Sequence, residues 1–358
     1  MIDKKIKGRG AKSNPKNRFE KLHIECFNED EIDSFYSGDD LKQRIPTQYF
    51  KDNSASVISV NDSADINFNY SFNPYRGCEH GCVYCYARPS HEYLGFSSGL
   101  DFETKIMVKE NAPKILEEEL NKKSYKPDII IFSGNTDCYQ PVESKLKLTR
   151  KALEVCLKYG NPVGLITKNA LVQRDIDILK AMSTRNLITV TLSITSLDKS
   201  LTSKMEPRTS VPLKRLETIQ KLAENNIPVG VNVAPVIPGL NEEEIPSILK
   251  AASEMGAEFA GFILLRLPYS VKDLFVNWLY SEFPNKATKI IHRIKDIRGG
   301  KLNNSEFGKR FAGEGEFAET IKKLFSISCR KYGLNKKDYR LSVENFRIKA
   351  SEQLEMFI

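Results

Sequence analysis

The sequence predicts an α/β protein built on a partial (β/α)6 barrel of the TIM type, and three observations lead to that expectation. Strand-like and helix-like segments alternate from about residue 66 onward. Such alternation demands a parallel sheet with helices outside it. With 358 residues, the chain has room for one unit of about 200 to 250 residues plus extensions at both ends.

Taken in order, the runs 56–60 and 66–72 are rich in branched or aromatic residues and are broken by Asn61 and Asp62, which predicts two strands and a turn. The second run opens the core. It leads into Asn73-Pro74-Tyr75-Arg76-Gly77 and then into a group of cysteines, which therefore lie on the loop after a strand. Helical periodicity follows at 112–122, 145–159, 171–182, 213–224, 242–255 and after Val271. Strand-like runs fall between them at 128–133, 162–167, 187–193, 228–234 and 259–265. After about Pro284 the pattern changes to short basic helices broken by Gly299, Gly300, Gly313 and Gly315. The expected organisation is an N-terminal extension with a flexible basic arm over 1–62, a core over 63–284, and a C-terminal helical extension with a tail over 285–358. In parallel α/β sheets, ligand chemistry gathers at the C-terminal ends of the strands. That rule singles out the cysteine loop and the segments 133–138, 167–169, 193–195 and 232–235.

A hydrophobic share of 41% and a charged share of 28% are those of a soluble globular chain. The longest apolar runs are too short to cross a bilayer, and the charged N-terminus lacks the apolar stretch of a secretory signal, so a cytoplasmic location is expected. Seven cysteines in that compartment argue for metal rather than for disulfides. The net charge of +8 favours a phosphate-bearing partner. The excess is concentrated at Lys4, Lys5, Lys7, Arg9, Lys12, Lys16, Arg18 and Lys21, and again at Arg293, Lys295, Arg298, Lys301, Lys309 and Arg310. Both groups are candidates for phosphate contact.

The segment Cys78-Glu79-His80-Gly81-Cys82-Val83-Tyr84-Cys85-Tyr86 offers three thiolates with the spacing CxxxCxxC. The number of ligands is informative. A closed zinc site needs four, whereas a cubane cluster on three cysteines keeps one iron open. His80 lies between the first two cysteines, where a tight loop has trouble wrapping it around the same ion. Cys26, Cys138, Cys156 and Cys329 are scattered elsewhere.

This loop, with an aromatic residue before its last cysteine, resembles that of the radical S-adenosylmethionine (radical SAM) enzymes. Together with Arg76-Gly77 before it and Ala87-Arg88-Pro89-Ser90-His91 after it, it is similar to the branch that contains spore photoproduct lyase and DNA repair photolyase-like proteins. The similarity covers nearly the whole chain. It implies that Cys78, Cys82 and Cys85 hold a 4Fe-4S cluster, whose fourth iron takes S-adenosylmethionine, and that a reducing donor such as flavodoxin or ferredoxin supplies the electron. It further implies cofactor contacts from Tyr84 and Tyr86, from Ser133, Thr136 and Asp137 at the second strand end, from Lys168 to the methionine carboxylate, and from Ser193 to the ribose. Ser, Thr and Asp at such places also cap helices. Spore photoproduct lyases carry a hydrogen-donating cysteine where this chain has Gly134. Cys138, directly after Asp137, is the catalytic candidate in its stead.

The expected function is a radical enzyme acting on nucleic acid, with DNA lesions as the leading substrate and a lyase-like reaction. The alternatives are radical modification of RNA or of a small molecule, and a non-catalytic iron-sulfur protein that binds nucleic acid. At the C-terminus, Gln353, Leu354, Met356 and Phe357 resemble the short peptide by which bacterial repair and replication proteins dock on the sliding clamp; the alternative is that Leu354 and Phe357 fold back on the protein's own helical extension.

Overall fold

Residues 8–19, 45–66 and 68–347 are described in a computed structural model of the chain. The strands are β1 (Gln48–Lys51), β2 (Ile58–Val60), β3 (Tyr70–Phe72), β4 (Tyr75–Arg76), β5 (Lys105–Val108), β6 (Ile130–Phe132), β7 (Val163–Thr167), β8 (Ile188–Ser193), β9 (Val229–Val236) and β10 (Phe259–Leu264). Six of them, in the order β10-β9-β8-β7-β6-β3, form one parallel sheet, and β2 pairs antiparallel to β3 at its edge. Helices connect successive parallel strands, which gives the partial (β/α)6 barrel that the alternation predicts.

The central strands turn alternate apolar residues to one face. Val163, Leu165, Val190, Leu192, Val229, Val231 and Val233 all sit in the main core. The helices turn one stripe inward. In Ile245–Glu254, for example, Ile245, Ile248, Leu249 and Ala252 are buried at the i, i+3, i+4, i+7 spacing of a single helix face.

Two expectations about local structure change. The helix expected over 145–159 is broken at Lys147, which takes a left-handed φ of 54°, into Glu143–Leu146 and Leu148–Tyr159. Its cause is the buried Glu143 carboxylate, which accepts the Thr149 backbone N–H at 3.1 Å and so caps the second piece. A second, three-stranded sheet in the order β1-β5-β4 lies outside the strand–helix alternation. Its strand β4 ends at Arg76 and hands the chain directly to the cysteine loop.

The expected flexible arm is ordered in its described part. The Arg9 guanidinium donates to the carbonyls of Glu103 and Ile45, both at 2.7 Å, and Asn17 donates to the carbonyl of Glu92 at 3.0 Å. The C-terminal extension is built in as well, with Ala318, Ile321, Phe325 and Cys329 of the helix Glu316–Tyr332 joining the main core. Among the described residues, no helix is long and apolar enough to cross a membrane. Cys26 and the tail from Gln353 to Phe357 lie outside the described residues.

Candidate cluster and cofactor site

The cysteine loop is held at almost every peptide unit. The Cys78 N–H donates to the Phe102 carbonyl at 2.9 Å, and the Glu79 N–H donates to Gln140 Oε1 at 3.0 Å. Gln140 returns a bond to the Gly77 carbonyl, and the Val83 N–H reaches the Met205 carbonyl at 3.0 Å. Gly81 takes a left-handed φ of 67°, which turns the chain between the first two cysteines. On the far side, the fully buried Arg88 donates from Nε to the Cys82 carbonyl at 3.0 Å and pairs with Glu103 at 2.5 Å.

The N-terminal strap closes over this turn. The N–H groups of Gly10 and Ala11 donate to the Glu103 carboxylate at 3.0 and 2.7 Å. Gly10 passes so close to the loop that a Cβ there would lie 1.7 Å from the Gly81 carbonyl oxygen. Only glycine fits that crossing.

The three thiols open into one cavity of about 200 Å³ at the C-terminal ends of the parallel strands. Tyr84, Tyr86, Ser133, Thr136, Asp137, Lys168 and Ser193 line it too, together with Asn232 and Arg266. Cys138 does not. Its side chain is fully buried in the main core, its N–H donates to Ser133 Oγ at 2.9 Å, and its carbonyl accepts Thr149 Oγ1 at 2.7 Å. Burial pushes its thiol well up. A small buried thiol that faces away from the cavity is not placed to give a hydrogen atom to a substrate, so that role is not carried forward for Cys138.

The cavity residues divide by what they touch. Asp137 ties three elements together: its carboxylate accepts the Thr167 hydroxyl and the Lys168 N–H, both at 2.8 Å, and lies 3.4 Å from His80 Nδ1. Burial works against its ionisation, but His80 and these hydrogen bonds hold the carboxyl below the ordinary range. The other ring nitrogen of His80 meets Asn169 Nδ2 at 3.2 Å. With both nitrogens engaged by protein, His80 is a brace for the loop and not a metal ligand. Thr136 gives its hydroxyl to the Tyr75 carbonyl at 2.8 Å, and Ser133, at a left-handed φ of 72°, accepts the Cys138 N–H.

Lys168 and Ser193 present polar groups to the cavity itself. Lys168 Nζ donates to the Ala234 carbonyl at 3.0 Å and lies 3.5 Å from Glu206 Oε1. Glu206 is fully buried and gathers Arg215, Tyr84 and the Thr195 hydroxyl around its carboxylate. Burial opposes its charge, yet Arg215 and Lys168 hold the carboxyl well below the carboxylate range. Tyr86 donates from its hydroxyl to the Gly134 carbonyl at 2.7 Å and keeps an open ring face. Glu206, Arg215 and Arg266 carry no local sequence signal of a site.

The donor set fits an iron-sulfur cluster. Burial pushes the thiols of Cys78, Cys82 and Cys85 above their ordinary range, so their ionisation depends on the positive charge of bound metal. Among the described residues, no three His, Cys, Asp or Glu side chains are arranged around a single ion. Three thiolates that each bind a different iron of a cubane need no common point. Beside them, the cation of Lys168 and the hydroxyl of Ser193 offer partners for the carboxylate and sugar of an amino-acid nucleoside.

Several expected phosphate contacts prove to be internal. Arg298 is buried and donates to the carbonyls of Leu264, Leu265, Lys309 and Arg310, Arg293 pairs with Glu242 at 2.7 Å, and Lys309 pairs with Glu306 at 3.0 Å. Arg310 pairs with Asp65. A charge read from sequence carries no information about the partner that neutralises it.

Comparison with known proteins agrees with this geometry. An uncharacterized protein of Mycobacterium tuberculosis is 32% identical over 237 residues, covering 66% of this chain and 70% of that protein. A mutant spore photoproduct lyase superposes with a TM-score of 0.57 at 16% identity, covering 80% of each chain. Another, with bound AdoMet and dinucleoside spore photoproduct, gives a TM-score of 0.53 at 17% identity and again 80% of each chain. A family model for the radical SAM superfamily matches residues 72–252, from the end of β3 to the helix before the last strand. The chain belongs to the radical SAM superfamily, whose chemistry rests on a 4Fe-4S cluster and S-adenosylmethionine.

Proposed function

We propose that this enzyme acts on nucleic acid, in a lyase-like repair of DNA lesions. When bound, the cluster and S-adenosylmethionine supply one-electron cleavage of the sulfonium and a 5′-deoxyadenosyl radical that takes hydrogen from the substrate. The chain's own residues bind, orient and shield. Cys78, Cys82 and Cys85 hold the cluster, the Lys168 ammonium holds the cofactor carboxylate, and the Ser193 hydroxyl reaches the ribose. Asp137 acts as a positioning residue, since it fixes His80 of the cluster loop and the backbone of Lys168 together. Tyr84, within the cluster loop, is braced by Glu206, while Tyr86 forms the wall toward the substrate.

The observation that carries this reading is the single cavity in which the three cysteines, Lys168 and Ser193 meet at the ends of the parallel strands. The lesion-directed part is supported by a similar solved fold, named as a spore photoproduct lyase with dinucleoside spore photoproduct, and by the net charge of +8. With Gly134 at the position of the lyase cysteine and Cys138 in the core, the final hydrogen comes from another donor.

The test is anaerobic turnover of the reconstituted, reduced enzyme with irradiated DNA, with bulk tRNA and with neither, reading 5′-deoxyadenosine and the loss of photoproducts. Stimulation by irradiated DNA with photoproduct loss is expected. Stimulation by tRNA alone would replace repair with RNA modification. No cofactor cleavage in any arm would leave a non-catalytic iron-sulfur protein.

A further inference from the structure

Arg266 follows the last strand, and its side chain lines the cavity with Tyr86. Among the described residues, no carboxylate or carbonyl accepts a hydrogen bond from its guanidinium, which lies over two rings. Its centre lies 5.4 Å from the Tyr86 ring and 4.7 Å from the Phe311 ring. The series then continues outward. Arg310 lies 4.9 Å from both Phe311 and Phe307, and Phe307 is 61% exposed. Tyr86, Arg266, Phe311, Arg310 and Phe307 thus alternate ring and guanidinium from the cavity to the surface.

The outer part of this ladder is rigidly mounted. Arg298 clamps the carbonyls of Lys309 and Arg310 to those of Leu264 and Leu265 at the end of β10. The Leu264 N–H donates to the Phe311 carbonyl at 3.0 Å, and Asp65 accepts the Gly308 N–H at 3.2 Å while neutralising Arg310. Arg310 is therefore a structural rung. Arg266 feels the Asp65 charge only through space and is the rung without a hydrogen-bond acceptor among the described residues. A cation held between rings and left without an acceptor suits an anion brought in by a ligand, and a solvent-facing ring such as Phe307 suits a flat base.

We propose that this ladder is the docking element for the substrate strand: a single-stranded or extruded nucleotide segment stacks a base on Phe307 and gives a phosphate to Arg266, which leads the reacting base along Tyr86 into the cavity. The element rests on the nucleic-acid reading above and narrows it to unpaired bases. A duplex cannot offer its base faces to Phe307, because they are stacked on one another.

The experiment is fluorescence anisotropy of a labelled thymidine octanucleotide with the full-length, cluster-loaded protein, repeated over a range of salt. A blunt duplex and a uridine octanucleotide serve as further probes. Phe307→Ala is expected to weaken octanucleotide binding by roughly 5- to 150-fold, the range of one lost base–aromatic stack, and Phe307→Trp to restore it. Arg266→Gln is expected to flatten the slope of log affinity against log salt by about 0.7, the value for one single-strand phosphate contact. Wild-type binding that neither Phe307→Ala nor Arg266→Gln changes would refute the ladder and leave the nucleic-acid reading standing. Equal binding of the duplex would refute the assignment to unpaired bases. Absence of binding to all three probes would refute the ladder and the nucleic-acid reading together.

Discussion

Lys168 Nζ lies 3.5 Å from Oε1 of Glu206, a fully buried carboxylate that also pairs with Arg215. The ammonium of this cavity-lining lysine is thereby held by a group that does not itself line the cavity. Lys168→Ala leaves Glu206 paired with Arg215, so folding is expected to survive while cofactor affinity falls by roughly 1.5 to 3 kcal/mol. Equilibrium dialysis of S-adenosylmethionine against the cluster-loaded variant checks this, and unchanged affinity would show that Lys168 serves the fold alone. Glu206→Gln strands Arg215 in the interior, and a stability loss on the order of 3 to 5 kcal/mol is expected in urea unfolding.

Gly10 carries the strap across the cluster turn with no room for a side chain. Gly10→Ala is expected to lift the strap, removing the two N–H donors from Glu103 and with them one restraint on Gly81. The cluster should then pass faster to an iron chelator, read from the decay of its visible absorbance. Ser13→Ala, at an exposed position of the same strap, is the control for a change made nearby.

His91 packs against Phe96 and Phe102, and burial pushes its imidazole down to about 4. The neutral ring is the form that the fold accepts. As pH falls below the ordinary value near 6.5, the unfolded chain takes up a proton that the folded chain refuses, so stability is lost between about 6.5 and 4 and the loss levels off below that. The full loss is on the order of 3 kcal/mol. Urea unfolding at pH 8 and pH 5 should show about 2 kcal/mol more loss for the wild type than for His91→Leu. An equal loss in both would place the acid sensitivity elsewhere.

What was legible in the sequence is local. The cysteine spacing names three candidate ligands within eight residues, and the strand–helix alternation places Ser133, Asp137, Lys168 and Ser193 at strand ends. Those features depend on neighbours along the chain. Glu206 was illegible because its role depends on Lys168, Arg215 and Tyr84, which are brought to it by other elements. Arg266 fell one residue past the apolar run that marks the last strand. Arg298 is a candidate for phosphate contact by sequence, yet its guanidinium is buried on four carbonyls. Cys138 stands next to Asp137 in sequence, but the turn sends their side chains apart, one into the core and one to the cavity. Likewise the Gly8-Arg9-Gly10 run has the composition of a free arm, and only the contact with Glu103 and Gly81 reveals a strap.

The central claim is that Cys78, Cys82 and Cys85 together hold the cluster that drives cofactor cleavage. The most direct measurement is iron and sulfide content, with the visible and electron paramagnetic resonance spectra, of the anaerobically reconstituted wild type. Beside it stand the single alanine variants at these positions and variants at Cys138, Cys156 and Cys329. About four irons per chain in the wild type are predicted. Each of the first three variants should lose the cluster or keep an incomplete one that yields no 5′-deoxyadenosine, and each of the last three should retain both. A triple variant of Cys78, Cys82 and Cys85 that still bound four irons with unchanged spectra would contradict the account.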